Sequence, residues 1–196
     1  MTFKRFLGRV AALATVTLVP IASGAPFANS LWIGNDTNAA LDVLNTDRSG
    51  NVLRTISGIS AIGFGVDLAT NTLFVNEDFS SATKLDLTTL APTGSVPTPV
   101  GEDLSFGGGS LWAGDFGGMT INRIDPTTGA ILSSFSVGYS PLGLAYGNGQ
   151  LWVSEFASGA QVHHYDLTGA LLDSFTPAKA GSLVASVTIR QMTHCG

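Results

Sequence analysis

The sequence predicts an all-β fold made of β-propeller repeats, with about four blades in an incomplete, truncated propeller. One observation behind this prediction is a short aromatic strand that recurs at intervals of about 40 residues. The other is the composition, because 24 of the 196 residues are glycine and only 12% are charged. Such a composition is typical of many short strands joined by tight turns, and it excludes a coiled coil and a charge-rich disordered chain.

Four strands in which leucine precedes an aromatic residue define the repeat. They are Leu31-Trp32-Ile33, Leu73-Phe74-Val75, Leu111-Trp112-Ala113 and Leu151-Trp152-Val153. Each is followed by a second strand, a turn and further strands, and four short strands in about 40 residues are the signature of a propeller blade. We therefore expect one shared set of core residues, packed between neighbouring blades: Trp32, Phe74, Trp112 and Trp152.

Aspartate ends the second strand of each repeat, directly before the turn. The four positions are Asp47, Asp86, Asp125 and Asp166. An aspartate in this place accepts hydrogen bonds from the backbone of its own turn, so these four residues are predicted to be structural.

Residues 1–24 have the layout of a secretory signal peptide, with basic residues, a short apolar run and then small residues. A membrane anchor is the alternative, although the apolar run is too short to span a bilayer comfortably. The sequence thus predicts an exported protein, located in the periplasm, at the cell surface or outside the cell. We expect this leader to be helical or disordered and detached from the blades.

Charge narrows the choice of partners. The chain carries a net charge of −5. The part that follows the leader is more acidic, because the leader contains the basic residues Lys4, Arg5 and Arg9. This charge argues against binding to nucleic acid or to anionic lipid. No later segment is apolar enough for stable membrane insertion. A single cysteine excludes a disulfide scaffold and a cysteine-based zinc site.

The blades are predicted to occupy residues 25–180, and residues 181–196 do not continue the repeat. Back-translation of this tail in a shifted frame gives leucine across His194 and Cys195, followed by tryptophan or arginine, where the repeat requires a leucine and an aromatic residue. This indicates an out-of-frame or non-native tail, whereas chance agreement aided by codon freedom is the alternative. In a truncated propeller, we expect the face near Leu144, Leu151 and Val153 to stay partly exposed.

A polar residue stands just after each aromatic strand, and equivalent positions in a propeller meet at one mouth of its channel. These candidate ligand or metal residues are Asn35, Glu77, Asp115 and Glu155. Such a ring of oxygen atoms suits a divalent cation such as calcium, or a polar ligand. The structural alternative is that each side chain accepts hydrogen bonds from its own loop. His163 and His164 are adjacent in a strand, so they face opposite sides of the sheet and cannot chelate one ion.

Two stretches resemble a known family. Residues 66–76, Val-Asp-Leu-Ala-Thr-Asn-Thr-Leu-Phe-Val-Asn, are similar to the YVTN repeat, with Phe74 in the tyrosine place. The Gly-Leu-Ala-Tyr and Leu-Trp-Val segments within 143–153 resemble NHL and streptogramin-lyase-like repeats. The resemblance implies an exported bacterial β-propeller, a fold that hosts unrelated activities.

The amino-acid sequence leaves two functions open. The first is a non-catalytic module that binds a protein, a glycan or a small ligand, and the sequence favours it because no catalytic histidine matches the channel mouth. The alternative is a lyase or lactonase-like enzyme that uses a divalent metal at the mouth. No catalytic residue is assigned.

Overall fold

The described part of the chain folds into sixteen strands arranged in four separate sheets of four strands. The computed structural model describes residues 17–19, 30–35, 40–45, 51–59, 61–77, 80–98, 101, 103–157 and 159–177. The first sheet contains β1 (Thr17–Val19), β2 (Ser30–Asn35), β3 (Ala40–Asn45) and β4 (Val52–Ser57). The second contains β5 (Gly63–Asp67), β6 (Thr72–Asn76), β7 (Ser81–Asp86) and β8 (Pro92–Pro97). The third contains β9 (Leu104–Gly107), β10 (Ser110–Asp115), β11 (Thr120–Ile124) and β12 (Ile131–Ser136). The fourth contains β13 (Pro141–Gly147), β14 (Gln150–Glu155), β15 (Val162–Asp166) and β16 (Leu171–Phe175).

Every sheet is an antiparallel meander whose strands follow the order of the chain. All the elements in the described part of the chain are strands. The predicted fold class is therefore confirmed: the protein is all-β, and its four sheets are the blades of an incomplete propeller.

Tight hairpins set the register of the aromatic strands. Gly108 and Gly109 connect β9 to β10 with φ values of 60° and 71°, and Asn148 and Gly149 connect β13 to β14 with 52° and 73°. Two successive positive φ values define the hairpin turn whose twist matches that of the strands, and glycine and asparagine tolerate them best. These turns fix which residues of each strand face the neighbouring sheet.

The first strands of consecutive sheets lie side by side, since β5 contacts β9 and β9 contacts β13. They form the inner side of the propeller. The last strands, β8, β12 and β16, form its outer rim, where most side chains are exposed. Each blade therefore grows outward from a buried strand to an exposed one.

Side chains alternate along each aromatic strand, so its two faces meet different neighbours. Phe74 of the second sheet is 2% exposed and packs with Leu111 and Ala113 of the third. Trp112 of the third sheet is 1% exposed and packs with Leu151 and Val153 of the fourth. The aromatic residue thus fills the gap to the following sheet, while the flanking aliphatic residues face the preceding one.

The prediction of a partly exposed face near Leu144, Leu151 and Val153 is wrong. These side chains are 1%, 0% and 0% exposed, because they face Trp112 of the third sheet. Within the described residues, the uncovered face of the fourth sheet is the opposite one, which carries the half-buried Trp152.

The leader also differs from the expectation that it is detached. Its residues Thr17–Val19 form β1, which pairs antiparallel with β2, so that Thr17 lies opposite Trp32. Without β1, the described residues up to Ser57 give this sheet three strands, and the free edge of β2 would accept a β-prone segment such as β1. The side chains of Trp32 and Asn35, the turn residue Asp47 and the tail 181–196 lie outside the described residues.

Candidate functional site

One end of each sheet brings the predicted polar residues to the same edge of the molecule. The start of each inner strand pairs with the end of its aromatic strand, as in Gly63 with Asn76, Leu104 with Ala113 and Pro141 with Glu155. Glu77, Asp115 and Glu155 therefore lie at this end of the second, third and fourth sheets. We call it the mouth edge.

The carboxylates of Asp115 and Glu155 each hold the loop that follows them. Asp115 Oδ1 accepts a hydrogen bond of 2.8 Å from the N–H of Gly118, and Glu155 Oε1 accepts one of 3.0 Å from the N–H of Gln161. Glu77 is half-buried directly after β6. Among the described residues, no group of three histidine, cysteine or acidic side chains comes together to hold a metal ion.

His163 is packed at the mouth edge between the third and fourth sheets. Its ring stacks on Tyr139 with centroids 4.4 Å apart, and its Nε2 lies 3.5 Å from Glu155 Oε2. Burial, with Tyr165 and Glu155 nearby, raises the pKa of Tyr139 above its ordinary value, so the phenol stays neutral at physiological pH. His163 Nε2 is buried, whereas a general base takes a proton through an atom within hydrogen-bond reach of the substrate.

His164 points to the opposite face of the same sheet, where it stacks on Trp152 with centroids 4.4 Å apart. Its Nδ1 lies 3.2 Å from Asp173 Oδ1, and its Nε2 lies 3.0 Å from Gln150 Oε1. The two adjacent histidines thus lie on opposite faces of the fourth sheet.

Asp103 is a buried carboxylate that the sequence reasoning missed. It is 1% exposed; Oδ1 accepts a 2.8 Å hydrogen bond from the N–H of Leu104, and Oδ2 accepts another of 2.8 Å from the N–H of Leu144. Ser105 Oγ similarly accepts a 2.9 Å hydrogen bond from the N–H of Tyr146. Asp103, directly before β9, and Ser105 in β9 therefore accept hydrogen bonds from backbone donors of β13 and join the third sheet to the fourth.

A departure from the repeat marks Asp103 in the sequence. Its counterparts in the second and fourth sheets, by strand register, are Gly63 and Gly143. A Cβ added at Gly63 would lie 2.6 Å from Asp103 Oδ1, so the missing side chain leaves room for the carboxylate. Asp103 is therefore recognisable in the sequence as an acidic residue at a repeat position where the neighbouring blades have glycine.

An aromatic pair at the mouth edge was also missed. Phe116 and Phe156 directly follow Asp115 and Glu155, and their rings meet edge to face with centroids 5.4 Å apart at 62°. Phe156 is 48% exposed. The repeated acidic-phenylalanine dipeptide was the signal in the sequence. We call Asp115, Phe116, Glu155 and Phe156 the mouth surface.

The described turn aspartates bind their own turns. Asp86 Oδ1 accepts hydrogen bonds from the N–H groups of Thr88 and Thr89, and Asp125 Oδ1 accepts them from Thr127 and Thr128. Asp166 Oδ1 accepts hydrogen bonds from the Thr168 hydroxyl and from the N–H groups of Thr168 and Ala170. These hydrogen bonds favour the ionised form and lower the pKa of all three carboxyl groups: Asp86, Asp125 and Asp166.

The architecture and its sheet order define a β-propeller, and solved structures share it. The chain is similar to hydrazine synthase of Kuenenia stuttgartiensis, with a TM-score of 0.61 and 14% identity over 86% of this chain and 50% of that one. Glutaminyl cyclase of Myxococcus xanthus gives a TM-score of 0.61 and 15% identity over 91% of this chain and 78% of that one. The WD40 domain of Pan2 from Neurospora crassa gives 0.56 and 14% over 78% of this chain and 51% of that one.

At such identities the likeness shows the fold alone. The chain spans about half the length of the hydrazine synthase and Pan2 chains. No family model and no curated protein matches the sequence. The described residues contain no helix that is long and apolar enough to cross a membrane.

Proposed function

We propose that this chain is an exported, non-catalytic β-propeller module that binds a partner through its mouth surface. The observation that carries the proposal is Phe156, a large apolar side chain that is 48% exposed and held edge to face against Phe116. Neighbouring blades contribute one ring each, at the same loop position. A rigid aromatic pair offers a large contact area at a small cost in side-chain entropy.

The chemistry of this surface favours a segment that carries both positive charge and apolar groups. The carboxylates of Asp115 and Glu155 adjoin the two rings, and aromatic faces attract cations as well as apolar groups. The net charge of −5 adds a longer-range attraction for a basic partner. We therefore favour a basic segment of another protein over the other classes considered from the sequence, a glycan or a small ligand.

The arrangement of the polar groups supports a non-catalytic role. Asp115 and Glu155 both accept hydrogen bonds from their own loops, which is the structural alternative considered for these residues. His163 is half-buried and stacked on Tyr139, and its Nε2 atom is buried. Catalysis by acid and base groups requires reactive atoms within reach of a substrate.

Differential peptide selection tests this proposal. A displayed library of random peptides is selected in parallel on the wild-type chain, on Phe156→Ala and on Leu132→Ala, a control whose side chain is 52% exposed on β12. We expect the wild type and Leu132→Ala to enrich the same peptides, rich in lysine or arginine beside apolar residues, and Phe156→Ala to lose them. Equal enrichment on all three proteins, or none on the wild type, would contradict the proposal.

A divalent-metal enzyme of the lyase or lactonase type is the second candidate. It is favoured by the presence of Glu77, Asp115 and Glu155 at one edge of three consecutive sheets. Titration calorimetry with calcium and with magnesium separates the two candidates. A binding heat that disappears in Asp115→Asn and Glu155→Gln supports the metal enzyme, whereas no heat and no thermal shift supports the binding module.

Export of the chain, as in YVTN/NHL-type proteins, rests on the layout of residues 1–24. A fusion of this segment to a reporter that is active only outside the cytoplasm tests it, with Leu13→Arg and Leu18→Arg as variants that interrupt the apolar run. We expect reporter activity with the native segment and its loss in the variants. Cleavage after Gly24 would remove β1 and leave the edge of β2 free.

A further inference from the structure

The sheets pack on one another by a rule that repeats along the chain. The aromatic residue of one sheet is covered by the aliphatic residues of the next aromatic strand: Phe74 by Leu111 and Ala113, then Trp112 by Leu151 and Val153. The covered rings are 2% and 1% exposed. The same interface is thus built twice with different side chains.

Trp152 of the fourth sheet stands in the same local arrangement as the two covered rings. Each ring lies beside a basic or imidazole side chain of the adjacent strand, at 5.7 Å for Lys84 and Phe74, 5.8 Å for Arg123 and Trp112, and 4.4 Å for His164 and Trp152. Arg123 is in turn held by Ser110, and His164 by the equivalent residue Gln150. The fourth sheet therefore has the local structure that, in the second and third sheets, packs against the aliphatic residues of a following sheet.

No following sheet covers this face among the described residues. Trp152 belongs to none of the buried core clusters of the described part and is half-buried, in contrast to Phe74 and Trp112. Phe175, at the end of the same sheet, is 53% exposed. An apolar face of this kind marks an interaction surface.

We propose that the Trp152 face of the fourth sheet binds the first sheet of a second copy of this chain, head to tail, so that two copies close a ring. The first sheet supplies the matching strand, because Leu31 and Ile33 hold the sequence positions that correspond to Leu151 and Val153. The interface continues the contact that already joins the second sheet to the third and the third to the fourth.

Blade number and symmetry agree with a ring of two. The four described sheets of each copy give eight blades, within the usual range of about four to eight in closed propellers. A head-to-tail contact uses two different surfaces, and it yields a closed ring when its rotation completes a circle.

The mass of the purified full chain in solution is the first test. We expect light scattering after size exclusion to give twice the chain mass of 20.2 kDa. Trp152→Glu should reduce the mass to that of one chain, whereas the control Leu132→Glu, on the exposed outer strand β12, should leave it doubled. A monomeric wild type overturns the proposal, also if a different protein is found to cover the face. A series of larger masses overturns it as well, because it would indicate an open filament.

Mixing two defective variants distinguishes a head-to-tail contact from a symmetric one. Trp152→Glu disrupts one of the two surfaces and Leu31→Glu disrupts the other, so each variant alone should be monomeric. In an equimolar mixture, the intact Trp152 face of one variant can still bind the intact first sheet of the other. The mixture should therefore form mixed dimers. If Leu31→Glu alone remains a dimer, the contact is symmetric and the proposal fails. Circular dichroism of each variant checks folding, and Trp152→Ala and Leu31→Ala replace any variant that does not fold.

Discussion

Asp103 places a carboxyl group in a nearly dry position between two blades. Its oxygens satisfy the N–H groups of Leu104 and Leu144, each at 2.8 Å. A buried donor that loses its partner costs far more than an exposed one, because no water replaces the lost hydrogen bond. The residue therefore contributes to the stability of the contact between these two blades.

Replacing Asp103 by alanine should lower the free energy of unfolding by about 1–3 kcal/mol for each buried donor that it leaves unpaired. Chemical denaturation of the purified variant measures this loss. Asp115→Ala is the matched control, because its carboxylate holds an exposed turn. An equal loss in both variants would show that the inter-sheet hydrogen bonds of Asp103 carry no special weight.

The turn aspartates make stability depend on pH in the acid range. Their pKa values lie below the ordinary value of 3.8, because backbone and threonine donors stabilise the carboxylates. A lowered pKa in the folded state gives stability that is present above pH 3.8 and is lost as the pH falls through the folded pKa values. We expect the melting temperature to fall in this window.

The matched variant changes Asp86, Asp125 and Asp166 to asparagine together. Asparagine keeps an acceptor oxygen but does not titrate, so the melting temperature of this variant should vary less with pH below 3.8 than that of the wild type. Thermal melts over a pH series measure both profiles. Parallel profiles would show that other carboxyl groups cause the acid sensitivity.

Among the elements, the aromatic strands β10 and β14 have similar sequences but different surroundings. Trp112 in β10 is 1% exposed and covered by the fourth sheet, whereas Trp152 in β14 is half-buried. The energy of an aromatic core residue comes from the area it buries and the cavity left by its removal. Equivalent positions in a repeat therefore need not contribute equally.

Trp112→Ala should cost about 3–5 kcal/mol of unfolding free energy, within the range for large buried aromatic residues. Trp152→Ala should cost clearly less when both are measured at a concentration where the chain is monomeric. Denaturant titrations of the two variants under identical conditions provide the comparison. Equal losses would indicate that Trp152 is covered within a single chain.

Glycine in β9 allows the third and fourth sheets to approach closely. A Cβ added at Gly107 would overlap the ring of Tyr146 in β13. Gly107→Ala should therefore destabilise the protein by about 1–3 kcal/mol, as overpacking does in a dense core. Gly117→Ala, where the nearest atom would be Asp115 Oδ1 at 3.9 Å, is the control and should be tolerated. Thermal and chemical denaturation measure both changes.

Across the whole molecule, burial decreases from the inner strands to the rim. All but one residue of β10 are buried, whereas every residue of β16 is exposed. Backbone hydrogen bonds on an exposed edge open more often than those in a packed sheet. This gradient belongs to the arrangement of the four sheets and not to any single strand.

Hydrogen exchange should follow this gradient. Peptides that cover β12 and β16 should exchange faster than peptides that cover β9, β10 and β14, because the rim strands have few buried neighbours. Mass spectrometry of the exchanging protein measures the order. Uniform exchange across each sheet would show that the blades open as single units.

The sequence by itself determined the all-β class, the propeller repeat and the aspartates before the turns. These features depend on local rules, since alternation, turn residues and spacing all act within one blade. The burial of Trp112 between neighbouring blades follows from the same repeat. These local rules were sufficient to predict the fold class because every blade repeats the same alternation, turn residues and spacing.

Only the tertiary structure decided which face of each blade meets which neighbour. Alternation separates Leu151 and Val153 from Trp152 but does not say which side faces the preceding sheet, so the uncovered face was assigned wrongly. The inter-sheet role of Asp103 and the pairing of Phe116 with Phe156 depend on residues 41 and 40 positions apart meeting in space. Contacts between blades are set by the packing of whole sheets, which no single strand pattern contains.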